Sequence, residues 1–166
     1  MKIIDGLLAE LEQEAQTTRR VLERIPQEHL SWKPHPKSMS LGQLALHVAM
    51  VPGGVAEAAA QDVAPVPMFV QPEAATTAEL VPTLTESIAK ARRALGGFDD
   101  AKMTATWRLQ KDGKEVMAMP RIAFVRAIML NHWYHHRGQL LVYLRLLNQP
   151  VPSVYGPTAD ENPFAV

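Results

Sequence analysis

Four long stretches of this chain repeat apolar residues at helical spacing, and proline or glycine closes three of them and interrupts the other. That pattern restricts the possible folds more than any single motif. In the first stretch Ile3, Ile4, Leu7, Leu8, Leu11, Ala15, Val21, Leu22 and Ile25 share a face, and Pro26 ends it. The second begins at Leu41, where Ser40 and Gln43 form a capping box, and places Leu44, His47, Val48, Val51 and Val55 on one side. Pro52 denies the Val48 carbonyl its helical partner, and Gly53 and Gly54 follow. A kink or local opening is therefore expected about one turn beyond His47. The third stretch carries Leu80, Leu84, Ile88, Ala91 and Leu95 and closes at Gly96-Gly97. Two overlapping capping boxes, Thr76 with Glu79 and Thr83 with Glu86, leave its start open. The fourth runs from Pro120 to about Leu147, before Pro150.

The segments between are short of helical pattern. LSWKPHPKSMS and residues 62–72 are proline-rich loops, and the tail VPSVYGPTADENPFAV is irregular. TATWRLQKDGKEVMAM alternates on either side of Asp112-Gly113, which predicts a β-hairpin. The expected fold is all-α: one four-helix-bundle domain over residues 1–166, with a short hairpin between the third and fourth helices.

Composition narrows the function. Seventeen basic and seventeen acidic residues give a formal charge of zero. No basic stripe stands out, which argues against a nucleic-acid partner. There is no cysteine, so disulfides, thiolate ligands and a protein thiol nucleophile are excluded. The N-terminus lacks the apolar core of a signal peptide, and no run reaches the roughly 18 apolar residues that span a membrane. A cytoplasmic protein without membrane contact is the expectation.

Three of the six histidines crowd into NHWYHHRGQL, residues 131–140. At about 100° per residue, Val125, Met129, His132, His136, Leu140, Tyr143 and Leu147 fall within roughly 40° of one direction, the expected buried seam. His132 and His136 lie on it one turn apart, so their rings can converge. His135 falls on the flank. Tyr134 faces nearly opposite and is expected to meet solvent or another subunit. A helical His-x-x-x-His supplies two corners of a metal site, and a third is needed. His29 and His35 sit in or beside the first connector without a defined direction, whereas His47 lies on the apolar seam of the second helix. The spacing leaves two readings open: a metal site, or polar residues satisfied within a core. Against the second, each unpartnered buried imidazole would cost about 1–3 kcal/mol, and the seams offer few partners.

The SWKP connector, the helix start SMSLGQLALHVA, the helix NHWYHHRGQLLVYLRLL and the tail VPSVYGPTADE together resemble the DinB/YfiT-like superfamily. The likeness covers nearly the whole chain, in order. It implies a four-helix bundle, a homodimer, and a divalent metal, zinc or nickel, held by His47, His132 and His136. Pro52-Gly53-Gly54 departs from the pattern close to that site. Among characterised members the superfamily includes transferases and isomerases that use low-molecular-weight thiols.

Three neutral imidazoles would leave a metal its full 2+ charge and an open position, suited to lowering the pKa of a bound water or thiol. Hydrolysis by metal-bound water usually recruits a carboxylate base, as in His-Glu-x-x-His proteases. No acid lies between His132 and His136, and Glu57 is poorly phased with His47. Asp160 and Glu161 in the tail remain as acids to fold over the mouth. No catalytic side chain is assigned. The leading expectation is metal-dependent transfer of a small thiol to a small electrophilic substrate. Metal-dependent hydrolysis comes next, then a dimeric bundle that binds a metal or ligand without turnover. A homodimer is also expected from Tyr134, Leu141 and Leu130, read as an apolar strip left over on the fourth helix.

Overall fold

The computed structural model describes residues 1–68 and 70–165. Phe69, inside the expected loop 62–72, and Val166, at the end of the tail, lie outside the described residues. The architecture is a four-helix bundle with a small sheet at one end. Helix α1 (Ile3–Leu22) buries Ile4, Leu7, Leu11, Ala15, Val21 and Leu22, and α3 (Leu80–Leu95) buries Leu80, Leu84, Ile88, Ala91 and Leu95. These are the seams that the periodicity predicts. Of the two overlapping capping boxes the first opens the third helix: the Thr76 amide donates to Glu79 Oε1 at 2.9 Å, and a 3₁₀ turn over Thr77–Glu79 leads into α3.

Helix α2 (Leu41–Ala60) starts at the expected capping box, with the Gln43 amide donating to Ser40 Oγ at 3.1 Å and the Ser40 amide donating to Gln43 Oε1 at 2.9 Å. It continues through Pro52 as an exchange of partners. The Val48 carbonyl, freed because proline has no N–H, accepts from Trp133 Nε1 at 2.8 Å. The Gly53 amide donates to Ser87 Oγ at 2.8 Å, and that hydroxyl donates to the Met50 carbonyl at 3.1 Å. A Cβ on Gly53 would meet the Ser87 carbonyl oxygen at 2.9 Å, so only glycine lets α2 and α3 approach this closely.

This exchange yields a prediction. Trp133→Phe leaves the Val48 carbonyl buried without a partner and should lower stability by about 1–3 kcal/mol in urea unfolding. Adding Pro52→Ala should recover part of that loss, because the restored amide can reach Val48. A Pro52→Ala effect of the same size in both backgrounds would show that the two residues are not linked.

The predicted hairpin is formed by β2 (Thr106–Lys111) and β3 (Lys114–Pro120). Asp112 at φ 50° and Gly113 at φ 75° supply the two positive values that a tight I′ turn requires. The sequence reading missed β1 (Val63–Pro65), which pairs parallel to β2, and the short helix α4 (Asp100–Thr104). Three residues, the last a proline, carry too little alternation to signal a strand. The sheet sits at the C-terminal end of α2. There Trp107 Nε1 donates to the Ala58 carbonyl, and the buried Arg121 guanidinium donates to the carbonyls of Ala59 and Gln61. These donors satisfy carbonyls at the end of the helix that intrahelical amides leave under-used.

The fourth long helix is composite: α5 (Arg121–Phe124), a π-helical segment (Val125–Asn131), and α6 (His132–Leu146). The wider π turn corrects the expected phase. Within it, Val125 and Met129 are buried as predicted; downstream, the buried stripe is Trp133, Arg137, Leu140 and Leu144. One extra residue in the turn rotates everything after it by roughly 90° relative to a straight helix. His132, His136, Tyr143 and Leu147 therefore lie half-buried beside the seam rather than on it.

The same rotation turns Tyr134 and Leu141 inward. Tyr134 is half-buried and donates to Glu10 Oε1 on α1 at 2.9 Å, Leu141 packs partly against the core, and Leu130 is fully buried. Of the strip read as a dimer surface, Leu130 is withdrawn into the core, and Tyr134 and Leu141 are half-covered within the chain. Among the described residues no helix is long and apolar enough to cross a membrane.

Candidate metal centre

His47 lies two turns into α2, set by the Ser40 cap and by the bond from Trp133 to Val48 one residue on. His132 and His136 open α6, on either side of that same Trp133. Trp133 thus ties the two histidine-bearing helices together where the rings meet. The ring centroids are 5.3 Å apart for His47 and His132, 4.5 Å for His47 and His136, and 4.5 Å for His132 and His136. One nitrogen from each ring falls within 4.8 Å of the others, a grouping that could hold a metal ion. No Asp or Glu oxygen joins them among the described residues. Exposed His135, on the next ridge of α6, packs its ring edge-on against His136 with centroids 5.0 Å apart but offers no nitrogen to the grouping, and exposed His35 accepts the Lys37 amide at its Nδ1.

The hydrogen bonds assign the nitrogens. His136 Nδ1 lies 2.8 Å from Gln139 Oε1, and an amide oxygen can only accept, so the proton sits on Nδ1 and Nε2 carries a lone pair. That lone pair faces His132 Nε2 at 2.8 Å. His47 Nε2 and His132 Nδ1 are buried and have no hydrogen-bond partner among the described residues. A proton on His132 Nε2 would bridge the pair but would do nothing for His47. A cation taking one lone pair from each ring removes the conflict between the facing Nε2 atoms and gives His47 Nε2 a partner, with the His132 proton on Nδ1, toward the Ile128 carbonyl. The residues present therefore fit a divalent ion.

Burial works in the same direction. His47 is lowered to about 4, first by desolvation and then by the neighbouring His136 and His132. His132 is lowered by desolvation, opposed by the Ile128 carbonyl, which stays short of hydrogen-bond geometry. His136 is lowered by desolvation, opposed by its bond to Gln139. All three rings are held neutral, the form that binds metal.

Outside the rings, the tail acids are engaged elsewhere. Asp160 pairs with Arg145 and accepts the Val151 amide, while Glu161 pairs with Arg20 and accepts the Ser153 amide. They clamp the tail onto α6 and α1 and do not cover the site. Glu57 pairs with Lys90 on α3 at 3.6 Å. A cleft of about 500 Å³ opens beside His136, lined among others by Lys33, Lys37, Gln43, Gln71, Gln139 and Tyr143. The sequence reading missed Gln139 as the partner that orients His136, although the spacing of three residues along a helix carried the signal.

Residues 2–162 match the DinB family. The chain belongs to the DinB family. An uncharacterised protein of Bacillus subtilis, YrdA, is 25% identical over 174 residues, covering 95% of this chain and 91% of that protein. A crystal structure of a DinB-like protein from Bacillus cereus superposes with a TM-score of 0.71 at 24% identity, covering 92% of this chain and 97% of the other. A second DinB-like protein, YjoA of B. subtilis, gives 0.67 at 20% identity, covering 95% and 99%. At these identities the two structures establish the fold of this DinB-family chain and nothing finer.

Proposed function

We propose that this DinB-family protein is a divalent-metal enzyme, with His47, His132 and His136 as ligands, that activates a low-molecular-weight thiol for transfer to a small electrophile. The observation that carries the reading is the nature of the groups around the rings. They are held neutral, His136 is oriented by an amide rather than a carboxylate, and Asp160, Glu161 and Glu57 are bound to cations elsewhere. A zinc or nickel ion bound there would keep its full 2+ charge and lower the pKa of a coordinated thiol. The chain's own part is to hold three lone pairs in place. Gln139 fixes the tautomer of His136, and Trp133 locks α6 against α2. The cleft admits a small molecule from the His136 side. A water nucleophile would need a base, and no Asp or Glu oxygen joins the three rings among the described residues, whereas a thiol needs no such base once its pKa is lowered.

The test is a screen of zinc- or nickel-loaded protein against pairs of small thiols and electrophiles, and in parallel against esters and amides. Metal-dependent turnover is expected in the first panel, lost on chelation while the helical circular dichroism stays. Turnover confined to the second panel would replace the transferase reading by hydrolysis. Metal uptake without turnover in either panel would leave a binding protein.

A further inference from the structure

We propose that the cleft beside His136 is a subsite for the carboxylate of a small anionic molecule, recognised by Lys33 and Lys37. The claim that the rest of this molecule reaches the histidine cluster rests on the metal reading above; the anion site does not. Both lysines line the cleft and come from the LSWKPHPKSMS connector. Neither forms an ion pair among the described residues. The Gln139 oxygen is taken by His136 Nδ1, which leaves its NH₂ group to donate into the same space. Among the described residues no acid lines the cleft, so the two positive charges meet no carboxylate there. At about 500 Å³ the space is of small-molecule size.

The lining favours a carboxylate over a phosphate. Phosphate sites draw chiefly on the free amides at a helix start and on the arginine fork, with lysine added to these as a point charge. Here the first amides of α2 are occupied: Leu41 donates to the Trp32 carbonyl, Gly42 to the Leu30 carbonyl and Gln43 to Ser40 Oγ. No arginine lines the cleft. Two lysines and an amide remain, enough for a carboxylate whose other end lies toward His136.

Trp32 packs edge-on against Tyr143, which lines the cleft, with centroids 5.5 Å apart, so its fluorescence can report binding. Metal-free protein titrated with succinate should show saturable change. Succinamide and inorganic phosphate at equal ionic strength should bind about tenfold more weakly, as should succinate to the K33Q/K37Q variant, the sum of two exposed charge contacts. Succinate binding no tighter than succinamide, or unaffected by K33Q/K37Q, would overturn the subsite. Phosphate binding as well as succinate would overturn the carboxylate assignment. In cobalt-loaded protein, mercaptosuccinate should produce the thiolate-to-cobalt absorption band at about tenfold lower concentration than 2-mercaptoethanol, and K33Q/K37Q should bring the two thiols level. Equal response in the unmodified protein would overturn the placement beside the cluster. Failure to take up cobalt would count against the metal reading alone, since the succinate titration decides the anion site without it.

Discussion

Alanine at His47, His132 or His136, one at a time, is expected to reduce the divalent metal retained through dialysis from about one ion per chain to a small fraction of that. Two imidazoles alone make a poor site, because a stable centre of this kind needs at least three protein ligands. His135→Ala should retain full metal, since that ring is exposed and outside the cluster. Gln139→Ala should fall between, binding about 10–100-fold more weakly, as loss of an orienting partner does. Elemental analysis of protein purified without a histidine tag decides the matter. Full occupancy in the His132 and His136 variants, with loss only at His135, would mean that the wrong rings have been chosen.

The same residues give the metal-free protein a pH dependence of defined sign. His47 is lowered to about 4 from an ordinary value near 6.5, and His132 and His136 are lowered with it. Below pH 6.5 the unfolded chain binds protons that the folded chain refuses, so stability is lost as pH falls from about 6.5 toward 4. Above that window the contribution is complete. His47→Ala should flatten this slope in urea titrations run between pH 4 and 7. An unchanged slope would place the origin of acid sensitivity outside the cluster.

How far the sequence could be read depended on what each feature needs. The seams of α1 and α3, the Ser40 cap and the Asp112-Gly113 turn are local, and each residue reports its own environment. The grouping of His47 with His132 and His136 was legible for a related reason: one turn separates the pair whatever the absolute phase of the helix. The phase itself was not legible. A π turn over Val125–Asn131 has no marker in VRAIMLN, and it moved the buried stripe from His132 and His136 to Trp133 and Arg137. The error passed to Tyr134 and Leu141, which were read as outward-facing and pack inward. Opening at Pro52 was anticipated, but its repair was not, because Trp133 and Ser87 lie 85 and 34 residues from the groups they satisfy. Long-range pairings of single polar atoms leave no periodic trace.

The second large effect is expected where that rotated stripe buries a charge. Arg137 is almost fully enclosed, and its Nη2 lies 2.6 Å from Glu14 Oε2 on α1 and donates to the Tyr155 hydroxyl at 2.6 Å. Its Nη1 donates to Thr18 Oγ1 at 3.0 Å and to the Glu14 carbonyl at 3.2 Å, and Tyr155 in turn donates to Glu14 at 3.0 Å. The network ties α6 and the tail to α1, directly behind the His136 turn. A buried pair of this kind adds little net stability over apolar residues of equal size, yet losing one partner leaves the other charge enclosed without compensation. Arg137→Met and Glu14→Met should therefore each cost about 3–5 kcal/mol in urea unfolding, a large share of the 5–15 kcal/mol available to a domain. The double variant should be more stable than either single one, because it removes both charges together. Losses that simply add in the double variant would show the pair to be solvated, with the tail opening to admit water around Arg137.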